Sequence, residues 1–97
     1  MSRRDAYVQK LKAKLDELNS EIDNLEAKAH LAEVESKIEY EKHLAELRAK
    51  SKDVNEKISE LQQAGQSATE DLKQGLENSW EMLKESLTRA KSEFNGG

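Results

Sequence analysis

The sequence predicts an all-α protein, and three observations carry that expectation. First, no glycine or proline occurs from Met1 to Ala64. Second, apolar residues recur at helical spacing: Leu11, Leu15, Leu18, Ile22, Leu25 and Ala29 are separated by 4, 3, 4, 3 and 4 positions. Such a row forms one stripe on a helix and demands a partner helix, as in a coiled coil. Third, no segment alternates apolar and polar residues with the period of two that a half-buried strand needs.

Helix 1 is expected to begin near Arg3, where Ser2 and Asp5 fit a weak capping pattern. Its surface carries acid-before-base pairs four residues apart, Glu33 with Lys37, Glu46 with Lys50 and Asp53 with Lys57, a favourable arrangement on a helix. The apolar row is not uniform. After Ala29 the strongest apolar residues, Leu31, Val34 and Ile38, fall on the opposite side of the helix from Leu18, Ile22 and Leu25. The original spacing resumes at Leu44, Leu47, Val54, Ile58 and Leu61, with Ser51 interrupting it.

The first break signal is Gln62 to Ser67, with Gly65 suited to a left-handed position just past a helix end. Ser67 and Glu70 read as a capping box that starts helix 2. Glu70 and Asp71 sit at the positive end of its dipole, and Arg89 and Lys91 near the negative end. Asn95-Gly96-Gly97 closes it. The expected layout is one domain, 1–97, with helix 1 over about 3–63, a turn at 64–67 and helix 2 over about 68–94. Gly75, inside helix 2, costs about 1 kcal/mol relative to alanine and suggests a close helix contact.

The row of helix 2 is Leu72, Leu76, Trp80, Leu83, Leu87, Ala90 and Phe94. Folded back antiparallel on helix 1, it places Leu72 against Leu61, Leu76 against Ile58, Trp80 against Val54 and Leu87 against Leu47, with the small Ser51 leaving room for Trp80. The row from Val8 to Ala29 then still lacks a cover. Two architectures provide one. In the preferred reading helix 1 is continuous, roughly 60 residues and ~90 Å long, and two chains pair antiparallel. In the other, helix 1 breaks near His30 and three helices form a monomeric bundle. The face shift at Leu31 favours the second. The good helix formers from Glu26 to Glu33 favour the first. In either case the expected interface residues are Leu11, Leu15, Leu18, Ile22, Leu25, Leu47, Val54, Ile58, Leu61, Leu72, Leu76, Trp80, Leu83 and Leu87.

Composition limits the chemistry. The chain has 97 residues, 37% charged and 35% hydrophobic, with a net charge of −4 and no cysteine. The acidic balance argues against nucleic-acid binding. No apolar run approaches the roughly 18 to 20 residues of a membrane span, and no targeting segment is visible, so a cytoplasmic location is expected. His30 and His43 have glutamates at metal-ligand spacing, Glu26, Glu39 and Glu46, but such pairs arise by chance in a glutamate-rich chain, and neither a metal nor another cofactor is expected. No phosphate loop, nucleophile constellation or dinucleotide fingerprint occurs. No catalytic residue is assigned.

The block from Arg4 to Glu17, the heptads from Leu18 to Ala29 and the ending Asp71 to Glu77 with Trp80 resemble small uncharacterised bacterial coiled-coil proteins, some labelled apolipoprotein-like. The resemblance implies a bacterial, soluble, helical protein with no catalytic residues to carry over. The expected function is therefore non-enzymatic: coiled-coil self-association, most simply as a dimer, or scaffolding of a partner helix. The alternative is a peripheral amphipathic protein coating a membrane, lipid body or storage granule. There Trp80 would be an interfacial anchor, with Met82, Leu83, Leu87 and Phe94 on or beside the lipid face.

Overall fold

The structure is a computed structural model that describes residues 3–65 and 69–96. It contains three helices: α1 (Arg3–His30), α2 (Val34–Gln63) and α3 (Thr69–Gly96). No strand occurs among the described residues. The molecule measures 50 × 20 × 18 Å along its principal axes.

The continuous 60-residue helix is therefore corrected. α1 ends at His30 and α2 begins at Val34. The last turn of α1 tightens, with the amides of Leu31 and Ala32 donating to the carbonyls of Lys28 and Ala29, each at 3.1 Å and each reaching back three residues. Glu33 is extended (φ −66°, ψ 156°) and makes no side-chain capping bond. Its carbonyl accepts from the Lys37 amide at 2.8 Å and opens α2. No glycine, proline or asparagine marks this turn. The reason for the break is tertiary. Breaking the helix at Leu31 forgoes a few tenths of a kcal/mol per residue at most in helix propensity. Folding back buries the whole row from Val8 to Ala29, where each leucine or isoleucine is worth about 1.5–3 kcal/mol.

The predicted hairpin is present as α2 and α3, and α1 is the third member of the bundle. α2 runs antiparallel to both neighbours and packs closely on each, whereas α1 and α3 lie parallel and approach one another less closely. Cross-helix pairs set the register. Arg48 Nη2 donates to Asp23 Oδ1 and Glu26 Oε2 on α1, each at 2.7 Å. Ser51 Oγ donates to Asn19 Oδ1 at 2.6 Å. Between α2 and α3, the Tyr40 and Phe94 rings stack with centroids 3.9 Å apart. Between α1 and α3, Lys91 bonds Glu21 and the Tyr7 hydroxyl donates to Glu77 Oε1 at 3.2 Å.

One continuous core results. Val8, Leu11, Leu15, Leu18, Ile22, Leu25 and Ala29 come from α1, and Leu44, Leu47, Val54, Ile58 and Leu61 from α2. Leu76, Leu83, Leu87, Ala90 and Phe94 complete it from α3, with Tyr7, Tyr40, Leu72 and Trp80 packed at its margin.

The ends of the helices depart from the sequence reading in detail. Ala64, just past α2, is extended (φ −75°, ψ 149°), and its amide donates to the Leu61 carbonyl. Gly65 is not left-handed, so it does not serve the role assigned to it. Arg4 Nη1 donates to the Ala64 carbonyl at 2.6 Å instead, tying the start of α1 to the end of α2. A Cβ built at Gly75 meets nothing within 4 Å, so no close helix contact explains that glycine. α3 continues through Asn95 to Gly96 rather than closing at Asn95. The caps expected of Ser2 and Ser67, and the helix start at Ala68, lie outside the described residues.

Candidate interaction surfaces

The residues expected at an interface are brought together, but within one chain. Leu11, Leu15, Leu18, Ile22 and Leu25 face α2 and α3, and Leu47, Val54, Ile58, Leu61, Leu76, Leu83 and Leu87 are equally buried. Leu72 and Trp80 are half-buried at the margin. The cover that α1 demanded from a second chain is supplied by its own hairpin, because the break at residues 31–33 returns the chain.

What remains exposed is more informative. Leu31, Val34 and Ile38 are 89%, 77% and 59% accessible, and Met82 is 56% accessible. Val34 and Ile38 lie four residues apart and so one above the other on α2. Leu31 stands in the turn just before them. Together they form a ridge at the α1–α2 end of the bundle, on the face of α2 turned away from the core. Segment 33–41 carries four glutamates, Glu33, Glu35, Glu39 and Glu41, against one lysine, Lys37. On α2 the charged side chains three and four residues from Val34 and Ile38 are Glu35, Glu41, Lys37 and Lys42, so the ridge is an apolar stripe among charges of both signs. Isolated exposed hydrophobes are ordinary, but contiguous ones mark a contact surface. The sequence held the signal, since Leu31, Val34 and Ile38 shift face there, but without the bundle it could not be told whether that face was covered.

A second surface lies where α1 and α3 stand apart. A groove of about 370 Å³ runs between them, lined by Leu18, Trp80 and Leu87 and by Lys14, Glu17, Glu21, Lys84, Thr88 and Lys91. Leu18 and Leu87 are buried at its floor. Trp80 is half-buried in its wall rather than enclosed against Val54 as the row matching suggested. Ser51, expected to make room for Trp80, gives its hydroxyl to Asn19 instead. On the rim, Lys91 pairs with Glu21, and Lys84 Nζ lies 3.8 Å from Glu81 Oε1.

The polar clusters elsewhere are readable as helix-to-helix ties. Tyr7 joins α1 to α3, with Lys73 Nζ 4.8 Å from the centre of its ring. Burial, and then the charge and hydrogen bond of Glu77, push its phenol up to about 12. The Asp23 and Glu26 hydrogen bonds hold the Arg48 guanidinium more firmly protonated. The Lys57 hydrogen bond, chiefly, holds Asp53 below its ordinary value. The same relation to Lys50 lowers Glu46. His30 Nε2 lies 3.9 Å from Glu26 Oε1, and His43 meets the Phe94 ring edge-on with centroids 6.4 Å apart. Among the described residues no three histidines, aspartates or glutamates converge as metal ligands would.

No helix among the described residues is long and apolar enough to cross a membrane. No protein-family model matches the chain, no curated protein does, and no solved structure does. The class defined here is thus an all-α protein whose three helices pack on one another.

Proposed function

We propose that this protein is a non-enzymatic helical module that works by self-association, through the ridge Leu31, Val34 and Ile38. The observation that carries the reading is the exposure of these three apolar residues, 89%, 77% and 59%, with Val34 and Ile38 on the outward face of α2 and Leu31 in the turn before it. Burying a valine, leucine or isoleucine fully is worth about 1.5–3 kcal/mol. Three of them supply about 4.5–9 kcal/mol, the same size as the association cost of order 4–15 kcal/mol. The expected self-affinity is accordingly weak, and association is sought at concentrations up to about 1 mM.

One observation weighs against the lipid-coat alternative. The apolar row of α3 is occupied in the core, so Leu76, Leu83, Leu87 and Phe94 would reach lipid only if the bundle opened.

The test is light scattering or sedimentation over that concentration range, with and without Ile38→Asp. Wild-type mass should rise with concentration, and the variant should stay at the mass of one chain with unchanged helicity. A wild type that remains a single chain at every concentration refutes the reading, as does a variant that associates like wild type.

A further inference from the structure

We propose that the self-association closes at two chains: the α2 ridge of one copy packs antiparallel on the same ridge of a second copy, around a two-fold axis level with Ile38 and Glu39. This rests on the self-association reading and adds the partner surface and its direction. The charges beside the ridge carry it. At about 100° per residue, Lys37 and Glu41 flank the Val34–Ile38 line on one side, and Glu35 and Lys42 on the other. Each flank thus holds one acid and one base. Both pairs are centred at the same level of the helix, at Ile38 and Glu39. A two-fold axis there brings Lys37 of one copy to Glu41 of the other, and Glu35 to Lys42, so every flanking charge meets an opposite one. Among the described residues none of these four makes an ion pair within the chain, so no existing pair has to break.

The apolar surface obeys the same axis. Ile38 meets Ile38 of the second copy at its centre. Val34 comes level with Ala45 of the second copy, and Leu31 reaches the space between Ala45 and Ala49. Both alanines are exposed and continue the line of the ridge along α2, and their small side chains leave room for the larger ones. Direction follows from what lies further along. Lys52 and Glu56 are exposed and repeat the positions of Val34 and Ile38 about five turns on. A parallel pair in register would also match the flanking charges, but it would run on along α2 and set Lys52 against Lys52 and Glu56 against Glu56. The antiparallel pair overlaps only at the ridge end and leaves both residues in water. Because each copy uses the same patch, the contact is self-complementary and closes on itself.

The experiment exchanges charges without changing their number. Glu35→Lys with Lys42→Glu swaps two charges that meet across the axis, so the antiparallel pair keeps every match and this variant should associate as wild type does. Glu41→Lys with Lys42→Glu swaps two that do not meet. It places like charges at every flanking contact, so self-affinity should fall about tenfold or more. All three positions are exposed, and circular dichroism checks that the fold is kept. Mass is read by sedimentation at concentrations up to about 1 mM, where wild type and the first variant should rise toward two chains and go no further. A parallel pair gives the reverse ranking, with the first variant weakened and the second unharmed. That ranking, equal association of the two variants, or growth beyond two chains overturns the proposal while leaving ridge-mediated self-association standing. A wild type that never exceeds one chain overturns both.

Discussion

Replacing Gly75 by alanine should stabilise the bundle. Gly75 lies within α3, away from both ends of a helix of 28 residues. A glycine in a helix interior costs about 0.8–1.0 kcal/mol relative to alanine, because the unfolded chain has more freedom to lose. That gain is normally offset when the new methyl group collides with a neighbour. Here a Cβ at position 75 meets nothing within 4 Å, and the backbone is already helical, so neither steric nor dihedral strain opposes it. The net expectation is about 1 kcal/mol of added stability. For a domain of this size that raises Tm by about 4–8 °C. Thermal melts followed by circular dichroism, with urea titration as a second measure, would read it. The urea midpoint should rise with its slope unchanged, since the surface exposed on unfolding is the same. A fall in Tm would mean that something approaches Gly75 after all, either a closer α2 or a second copy, and would refute the packing described here.

Three further outcomes follow from single side chains. Ser86 is buried with its hydroxyl unpaired among the described residues, so Ser86→Ala should stabilise by about 1 kcal/mol in the same melts; a loss of that size would reveal a hydrogen-bond partner. Asn19→Ala orphans the Ser51 hydroxyl and should cost about 1 kcal/mol, whereas adding Ser51→Ala should recover most of it, a non-additivity that a double-mutant cycle measures. In a Tyr40→Phe background, ultraviolet titration should find the Tyr7 phenolate forming near pH 12 rather than at the ordinary 10.0. Because the folded value lies above the unfolded one, this tie is fully present below about pH 10 and is lost as pH rises toward 12; Glu77→Gln should lower the midpoint, and a midpoint unmoved by it would assign the whole shift to burial.

How much of this was legible in the sequence depends on the range of the interaction concerned. The helical periodicity is local, so the rows Leu11 to Leu25, Val54 to Leu61 and Leu76 to Leu87 could be read directly, and each of these residues except Trp80 is buried. The packing of α3 back on α2 followed as well, because a short turn leaves two successive helices little choice of direction. The partner of α1 did not follow. Residues 31–33 have no helix-breaking chemistry, and local propensity favours a continuous helix there. The turn exists because the folded-back chain buries a whole apolar row, a gain much larger than the local loss and visible only when all three helices are in place. The place of Trp80 was decided in the same way: the parallel pair α1 and α3 stand apart, so a residue expected in the core became the wall of a groove. Leu31, Val34 and Ile38 announced by their shifted face that they did not belong to the row. Only the tertiary structure, by covering the opposite side of α2 and leaving this one in water, made them a surface.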